Sequence, residues 1–194
     1  ATARAAGADD ILYHARVSDS LGEAIAGSAL ILGSSAQVRH IPWPELTPRE
    51  CALRVVKQAV QGEVAIVFGR ESSGLTNEEL EQCNGVVRIP TDESFRSLNV
   101  AAAVQIIAYE IQLAAVSPRE SAGELTESPV TSEEMEMFYT HLRKALIEID
   151  FLDESAPKLL MRRLRKFFNR AQPDRSEVNI LRGMLTAAQR IVRR

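Results

Sequence analysis

The residues best suited to bind a polar ligand lie in two loops of small and polar side chains. The first loop, residues 69–75 (GRESSGL), follows the apolar run VAIVF, and the second, residues 90–99, follows the run VVRI. Each loop leads into a helix-like segment, an arrangement typical of an open parallel sheet. Gly69 and Gly74 bracket the first loop and allow a ligand to lie against the backbone without meeting a Cβ. The sequence therefore predicts an α/β fold with a ligand site at the carboxyl ends of its strands.

A third loop of small residues, Ser34, Ser35 and Ala36, follows the buried strand predicted at residues 29–32. If the three strands are neighbours, the three loops converge at one edge of the sheet. Tight loops of this kind hold a ligand largely through backbone N–H and C=O groups, which would explain the scarcity of charges. The alternative for the two serines is a simple turn.

Local signals place the two helices that follow the first two loops. Thr76 and Glu79 form a capping-box pattern at the start of one helix. Ser97 or Asn99 is available to cap the next helix, which is predicted over residues 100–115. That helix is apolar nearly all round, so burial on more than one side is expected.

Composition limits the class of protein. The 194 residues are 45% hydrophobic and 25% charged, enough for one sizeable core and a small appendage, and no apolar run approaches the length of a membrane span. The expected location is cytoplasmic. Cys51 and Cys83 lie far apart in sequence, which argues against a zinc site or a disulfide framework, and both are interpreted as reduced residues within helices.

Residues 11–13 are predicted as a short strand, residues 20–26 as a short helix and residues 49–60 as a longer helix.

The chain divides into three segments. Residues 1–116 carry the strand, loop and helix pattern, residues 117–130 are predicted to be a linker, and residues 131–194 show helical periodicity. The last segment predicts a small bundle of three amphipathic helices, which open at Thr131 with Glu134, at Pro157 and at Ser176. In the second of these helices the apolar residues expected to face inward are Leu160, Leu164, Phe167 and Phe168. The cations expected to face outward are Arg162, Arg163, Arg165, Lys166 and Arg170. In the third helix the inward set is Ile180, Leu181, Met184, Leu185, Ala188 and Ile191.

The net charge of −3 averages two unlike parts. Residues 1–125 contain 10 Lys and Arg against 16 Asp and Glu, a net of −6, whereas residues 158–194 contain 11 against 2, a net of +9. Basic charge confined to the C-terminal helices favours an anionic partner for them, most simply a nucleic acid. A solvated helical face is the alternative.

Taken together, FGRESSGLTNEEL and the later IP-x6-SLNVAAAVQIIAYE resemble the SPOUT superfamily of RNA methyltransferases. Within it the chain is most similar to the TrmJ-type tRNA 2′-O-methyltransferases, and the segments LGSSAQVRHIPWPELTPRE and NILRG extend the resemblance over nearly the whole chain. The resemblance implies a parallel α/β sheet with a C-terminal trefoil knot, followed by the small helical bundle. It also implies a homodimer formed through the knot domain, whose apolar helix would supply the interface; deep packing within one subunit is the alternative.

The resemblance assigns S-adenosylmethionine as cofactor, with contacts from three loops. The matching positions are Ser34, Ser35, Ala36, Gly69, Ile89, Arg96, Ser97 and Leu98. Because the sulfonium supplies a strong leaving group, the protein must mainly align the hydroxyl with the methyl group and assist proton removal, and no metal is needed.

Candidate contacts to the substrate RNA are Arg39, Arg70, Asn99, Arg162, Arg163 and Arg165. Arg70 would either reach a phosphate or pair with Glu71, and Asn99 would either orient the ribose or only cap a helix. Trp43 would stack on a base, fill a subunit contact or cover the core. Arginines on the second C-terminal helix would neutralise tRNA phosphates and set the salt dependence of binding.

In this family a strand and a helix before the matched region carry an asparagine and an arginine at the catalytic centre. The sequence as given opens after that point, so the first strand and helix are expected to be missing and the catalytic arginine to lie upstream of Ala1. The catalytic residue within the numbering is therefore unknown. A chain without that arginine could be a non-catalytic RNA-binding module, which is the alternative from another functional class.

The function implied by the resemblance is transfer of a methyl group to the ribose of a tRNA pyrimidine, cytidine or uridine, at position 32 of the anticodon loop. The alternative within the superfamily is 2′-O-methylation of another tRNA ribose or of ribosomal RNA. Homodimerisation is expected, and no membrane partner.

Overall fold

The computed structural model describes residues 7–36, 43–92, 94, 97–117, 129–153 and 159–192. A parallel sheet forms the centre of the N-terminal part of the chain. Its strands are β1 (Ser28–Ser34), β2 (Glu45–Leu46), β3 (Glu63–Phe68) and β4 (Gly85–Val87), in the order β2-β4-β1-β3. All three strand pairs are parallel. The predicted parallel α/β fold is confirmed.

Helices precede the sheet, cover it and follow it. Their bounds are α1 (Asp9–Tyr13), α2 (Leu21–Ile25), α3 (Pro48–Gln58), α4 (Asn77–Leu80), α5 (Val100–Val116), α6 (Ser132–Glu148), α7 (Leu160–Ala171) and α8 (Arg175–Val192). The strand predicted at residues 11–13 is wrong, because these residues belong to α1. Asp9 and Asp10 occupy the first turn of that helix, where carboxylates favour the positive end of the helix dipole.

The main core lies between the sheet and the helices α3 and α5. Its buried side chains are Leu30, Leu32, Cys51, Val55, Val87 and Ile107. A smaller buried cluster consists of Ile25, Ile31 and Cys83. Its Ile31 also belongs to β1. Strand β1 is thus the element around which the sheet domain packs.

Helix starts follow the local signals closely. The capping boxes predicted at Thr76 with Glu79 and at Thr131 with Glu134 are present, with both reciprocal hydrogen bonds. The start predicted at Ser176 is displaced: Asp174 accepts from the N–H of Glu177 at 2.8 Å, and Glu177 Oε2 accepts from the N–H of Asp174 at 2.9 Å. Asp174 therefore caps the helix, and α8 begins at Arg175. Pro157 lies outside the described residues.

Two boundaries in the sheet domain differ from expectation. Strand β4 ends at Val87, so Ile89 lies in the loop rather than in the strand. Cys83 follows α4 and is not a helix residue. Its Sγ hydrogen-bonds the Glu79 carbonyl at 3.5 Å, which extends the contacts of the last turn beyond the helix itself.

Helix α5 is buried on one side only within the single chain. Ala103 and Ile107 are its buried residues, whereas Tyr109 and Val116 are 58% and 67% exposed. Deep packing of α5 on more than one side, the alternative left open by the sequence, is not found among the residues that the structure describes. An apolar helix face remains at the surface of the chain.

The C-terminal helices share a second core, the C-terminal cluster. Its buried members are Val130, Phe138, Tyr139, Leu142 and Val178. Leu164, Phe168, Leu181 and Leu185 pack against it as predicted. Four residues expected inside are exposed instead: Phe167, Ile180, Met184 and Ile191. A small bundle has room for one narrow stripe from each helix, so apolar residues beside that stripe remain in solvent.

Neither a membrane span nor a metal centre is found in the described part of the chain. Its helices are too short or too polar to cross a bilayer. Within the same residues, no group of three or more His, Cys, Asp or Glu side chains is placed to hold a metal ion.

Both cysteines are expected to resist alkylation in the folded protein. Burial raises the pKa of Cys51 to about 11 and that of Cys83 to about 12, so the reactive thiolate is scarce near about pH 8. Iodoacetamide should label neither thiol in the native state and both after unfolding, as read by intact mass.

The same pKa shifts make stability depend on pH. Because the folded state raises both thiol pKa values, their contribution to stability is complete below the unfolded value of about 8.5 and is lost as the pH rises towards the folded values. The denaturation midpoint should fall between about pH 8 and about pH 10. A Cys51→Ala, Cys83→Ala variant should lose this part of the decline, and an identical decline would contradict the assignment.

Candidate functional site

A cleft opens where three strands of the sheet end, and it is called here the strand-end cleft. In the register of the sheet, Ser34 pairs with Phe68 of β3 on one side and with Val87 of β4 on the other. The three following loops therefore leave the sheet at the same level, and the N–H of Ser35 also donates to the Val87 carbonyl at 3.1 Å. The residues that line the cleft are Ser34, Ser35, Ala36, Phe68, Gly69, Arg70, Glu71, Ser72, Ser73, Gly74, Ile89, Thr91, Ser97, Leu98, Val100 and Ala103.

The loop after β3 is closed by its own backbone. The N–H of Gly74 donates to the Arg70 carbonyl at 2.8 Å, and the N–H of Arg70 donates back to the Gly74 carbonyl at 3.2 Å. Gly74 adopts φ +66°, a conformation that glycine takes at little cost. A Cβ on Gly69 would stand 2.1 Å from the Gly74 carbonyl carbon and 2.3 Å from the Leu75 nitrogen. Only glycine at position 69 allows the loop to close this tightly.

Arg70 secures this loop to α4. Its guanidinium donates to both carboxylate oxygens of Glu79, at 3.2 and 3.0 Å, and these hydrogen bonds are the largest cause of the lowered pKa of Glu79. The proposed pairing with Glu71 is therefore wrong. The Arg70 side chain is still 62% exposed, so the bidentate ion pair leaves much of the guanidinium open to solvent.

Asn99 joins the first and second loops of the cleft. Its side-chain oxygen accepts from the N–H of Ala101 at 2.8 Å, which caps α5. Its side-chain nitrogen donates to Glu71 Oε1 at 3.0 Å. Asn99 rather than Ser97 is the helix cap, and Ser97 faces the cleft. The role of Glu71 was missed by sequence reasoning, although its charge in a loop of small residues was the available signal.

Most of the residues expected to contact the cofactor surround this one cleft. Those present are Ser34, Ser35, Ala36, Gly69, Ile89, Ser97 and Leu98. Arg96 and Arg39 lie outside the described residues. Trp43 instead packs against the cluster of Leu75, Leu80 and Val86, which supports its interpretation as a core-covering residue.

Two of the three arginines expected to bind RNA from α7 are engaged within the chain. Arg162 forms ion pairs with Glu78 at 3.3 Å and Glu81 at 2.7 Å. Arg165 forms an ion pair with Glu136, and its guanidinium carbon lies 4.4 Å from the ring centre of Tyr139. The outward orientation predicted for Arg162 and Arg165 is wrong, because acidic partners on α4, on α6 and in the turn after α4 draw these side chains inward. Arg163 is exposed.

A buried amide fixes α7 to the sheet domain. Asn169 is 7% exposed and donates to the carbonyls of Glu81 at 3.0 Å and Cys83 at 3.3 Å. Its side-chain oxygen accepts from the hydroxyl of Tyr139 at 2.6 Å. The side chain of Asn84 also donates to the Asn169 carbonyl at 3.4 Å. These contacts define the orientation of the C-terminal helices with respect to the strand-end cleft.

Two family models match separate parts of the chain. Residues 2–109 match the SpoU rRNA methylase family. Residues 133–194 match the C-terminal domain of tRNA methyltransferase TrmJ. Since the first match covers more than half of the chain, the protein belongs to the SpoU methylase family, whose methylation reactions depend on S-adenosylmethionine.

Relatives that match nearly the whole chain identify the group within this family to which it belongs. A Pseudomonas aeruginosa tRNA (cytidine/uridine/adenosine-2′-O-)-methyltransferase TrmJ is 48% identical over 203 residues, covering 100% of this chain and 79% of the relative. The tRNA (cytidine/uridine-2′-O-)-methyltransferase TrmJ of Escherichia coli K12 is 45% identical over 193 residues, covering 97% and 78%. The chain is therefore a member of the TrmJ group, and the resemblance drawn from its motifs is confirmed.

Solved structures agree with this assignment. The crystal structure of TrmJ from Z. mobilis ZM4 superposes with a TM-score of 0.79 at 29% identity, covering 94% of this chain and 77% of that one. A probable methylase family protein from Haemophilus influenzae superposes with a TM-score of 0.56 at 37% identity, covering 98% and 78%.

Proposed function

We propose that this protein transfers the methyl group of S-adenosylmethionine to a ribose 2′-hydroxyl in tRNA, at a pyrimidine in position 32 of the anticodon loop. Membership of the TrmJ group and the strand-end cleft together carry the proposal. The single most informative observation is that the register of β1, β3 and β4 gathers three small-residue loops into one cleft. Parallel α/β sheets bind their ligands at this edge.

The strand-end cleft suits S-adenosylmethionine. Ser34, Ser35, Ala36 and Gly69 present little side-chain bulk, so a nucleoside can approach their backbone donors and acceptors. Ile89 and Leu98 supply apolar surface for an adenine ring. When bound, the cofactor supplies an electrophilic methyl group on a sulfonium. The chain's own task is to hold the loops in place and to align the incoming hydroxyl.

Two side-chain contacts hold those loops. The bond from Asn99 to Glu71 ties the loop after β3 to the start of α5, and the Arg70 ion pair ties the same loop to α4. We assign Asn99 to orientation of the target ribose through this fixed amide. The exposed part of the Arg70 guanidinium is assigned to a nearby phosphate.

The roles proposed for the three segments of the chain follow from their charge and packing. Residues 1–116 would form the methyltransferase domain, residues 117–130 the linker and residues 131–194 the tRNA-binding extension. The net charge of +9 over residues 158–194 supports the last assignment. The apolar face of α5, with Tyr109 and Val116 exposed, supports a homodimer formed through this helix. The trefoil knot and the cytoplasmic location stay predictions.

The proposal is tested by mapping the methylated nucleotide. The protein is incubated with unmodified tRNA and isotopically labelled S-adenosylmethionine, and the nuclease digest is analysed by mass spectrometry. A 2′-O-methyl group is expected on the pyrimidine at position 32, and a tRNA with a 2′-deoxyribose there should remain unlabelled. A tRNA with adenosine at that position tests base preference, since the Pseudomonas relative is named for adenosine as well.

Two results would contradict the proposal. A methyl group found only at another tRNA ribose or on ribosomal RNA would indicate a different substrate. Binding of the cofactor and tRNA without any transfer would support the binding-module alternative.

A further inference from the structure

Helix α7 presents three distinct faces. One face packs on the C-terminal cluster through Met161, Leu164 and Phe168. A second face binds α6, α4 and the segment after α4 through Arg162, Arg165 and Asn169. The third face is turned to solvent and carries Arg163, Phe167 and Arg170, with Lys166 beside them.

Phe167 is an exposed aromatic residue held in a defined orientation. Its side chain is 52% exposed, and its ring meets the ring of Phe168 edge-on, with centres 5.1 Å apart and planes at 79°. Phe168 in turn stands edge-on to the buried Phe138 at 4.9 Å. The exposed ring is therefore anchored through two aromatic contacts to the C-terminal cluster, which reduces the entropy lost when a ligand stacks on it.

The arginines beside Phe167 make no ion pair with the residues that the structure describes. Arg163 precedes it by four residues and Arg170 follows it by three, so both lie on the same face of the helix. In the described parts of the chain neither makes an ion pair or a side-chain hydrogen bond, whereas Arg162 and Arg165 do. Arg163 and Arg170 are separated by roughly 10 Å along the axis, with the aromatic ring between them.

We propose that Phe167 is a stacking platform for an unpaired base of the tRNA, with Arg163 and Arg170 contacting the phosphates on either side. This inference rests on the proposed tRNA substrate and adds a particular contact to it. Unstacked bases in RNA loops bind aromatic side chains and guanidinium groups in this way. Charge complementarity favours this occupant, because residues 158–194 carry a net charge of +9.

The test separates stacking from charge. Binding of an unmodified tRNA transcript is measured over a range of salt concentrations for Phe167→Ala, Phe167→Leu and Phe167→Trp. The alanine and leucine variants should bind about 5- to 100-fold more weakly with an unchanged salt dependence, and the tryptophan variant should bind as the parent does. Arg163→Ala and Arg170→Ala should each reduce the slope of log K against log salt by about one.

Phe151→Ala is the matched control, because Phe151 is also exposed, at 65%, but follows Asp150 and precedes Asp153. This variant should bind tRNA as the parent does. Cofactor affinity should be unchanged in all these variants, and circular dichroism at the assay temperature should show each one folded, which excludes misfolding as the cause of a loss.

Several results would overturn the inference. They are unchanged tRNA affinity in Phe167→Ala, full affinity in Phe167→Leu, and an equal loss in Phe151→Ala. A shift of Phe167→Ala from dimer to monomer in sedimentation, with tRNA affinity per subunit retained, would assign this face to a second copy of the chain. Failure of the parent protein to bind tRNA would refute the proposed function itself. That result is distinguishable from failure of the Phe167 inference, in which the parent protein binds tRNA and Phe167→Ala binds it equally well.

Discussion

Replacing Gly69 by alanine is expected to abolish methyl transfer and to lower the thermal midpoint. The added Cβ would stand 2.1 Å from one backbone atom of Gly74 and 2.3 Å from the nitrogen of Leu75. No rotamer change can relieve a contact with backbone, so the loop after β3 must open. Overpacking of this kind costs about 3 kcal/mol, which corresponds to a fall of roughly 6–12 °C in the midpoint for a chain of this size.

The activity loss should exceed what the stability loss explains. Opening the loop moves Arg70 and Glu71, and Glu71 is the acceptor that fixes Asn99 at the opposite side of the cleft. Cofactor affinity, measured by calorimetry well below the midpoint, should therefore fall along with activity.

Gly74→Ala is the matched control for this change. Gly74 lies in the same loop at φ +66°, but a Cβ there would meet no atom within 4 Å. Only the left-handed conformation is then penalised, at about 1–2 kcal/mol. A Gly69→Ala protein as stable and as active as Gly74→Ala would show that the loop closes differently from the structure.

Signals that act over a few residues predicted the structure well. The capping boxes at Thr76 and Thr131 are completed by residues three positions away, and both are present. The loops of the cleft were predicted from small residues that follow apolar runs, and β1, β3 and β4 bring them together. The run Ile11 to Tyr13 failed because three apolar residues do not distinguish a strand from a helix.

Contacts between distant segments could not be predicted from the sequence. Arg162 and Glu78 are 84 positions apart, and helical spacing alone indicated that Arg162 faced solvent. Phe167 was expected inside together with Phe168, yet only Phe168 of the two packs against the C-terminal cluster. No local pattern distinguishes Asn169 from an ordinary polar helix residue, because its burial depends on carbonyls more than 80 positions away. The surface proposed to bind RNA could therefore be identified only from the fold.

Replacing Asn169 by alanine is expected to destabilise the protein by about 2–4 kcal/mol, since buried polar groups lose their partners. The hydroxyl of Tyr139, a residue that is 2% exposed, would lose its acceptor at 2.6 Å and keep only the Arg165 carbonyl at 3.4 Å. The carbonyls of Glu81 and Cys83 would lose the Asn169 donor. The urea midpoint should fall accordingly. Asn179→Ala, which changes an exposed residue of α8, should leave it unchanged.

A double substitution identifies the cause of this loss. Tyr139→Phe alone should destabilise the protein, because Asn169 would lose a hydrogen bond. Added to Asn169→Ala, the same change removes a buried hydroxyl whose one remaining acceptor, the Arg165 carbonyl, lies at 3.4 Å, and it should recover part of the stability. Losses that simply add would show that the Tyr139 and Asn169 side chains do not interact energetically.

The same variants test whether the orientation of the C-terminal helices matters for catalysis. Asn169 contributes to the contact between α7 and the sheet domain, and it does not line the strand-end cleft. Asn169→Ala should therefore retain cofactor affinity at a temperature where it is folded, while turnover of tRNA falls. Normal turnover would mean that the helices bind tRNA productively without a fixed orientation, and α7 would then act as a tethered RNA-binding helix.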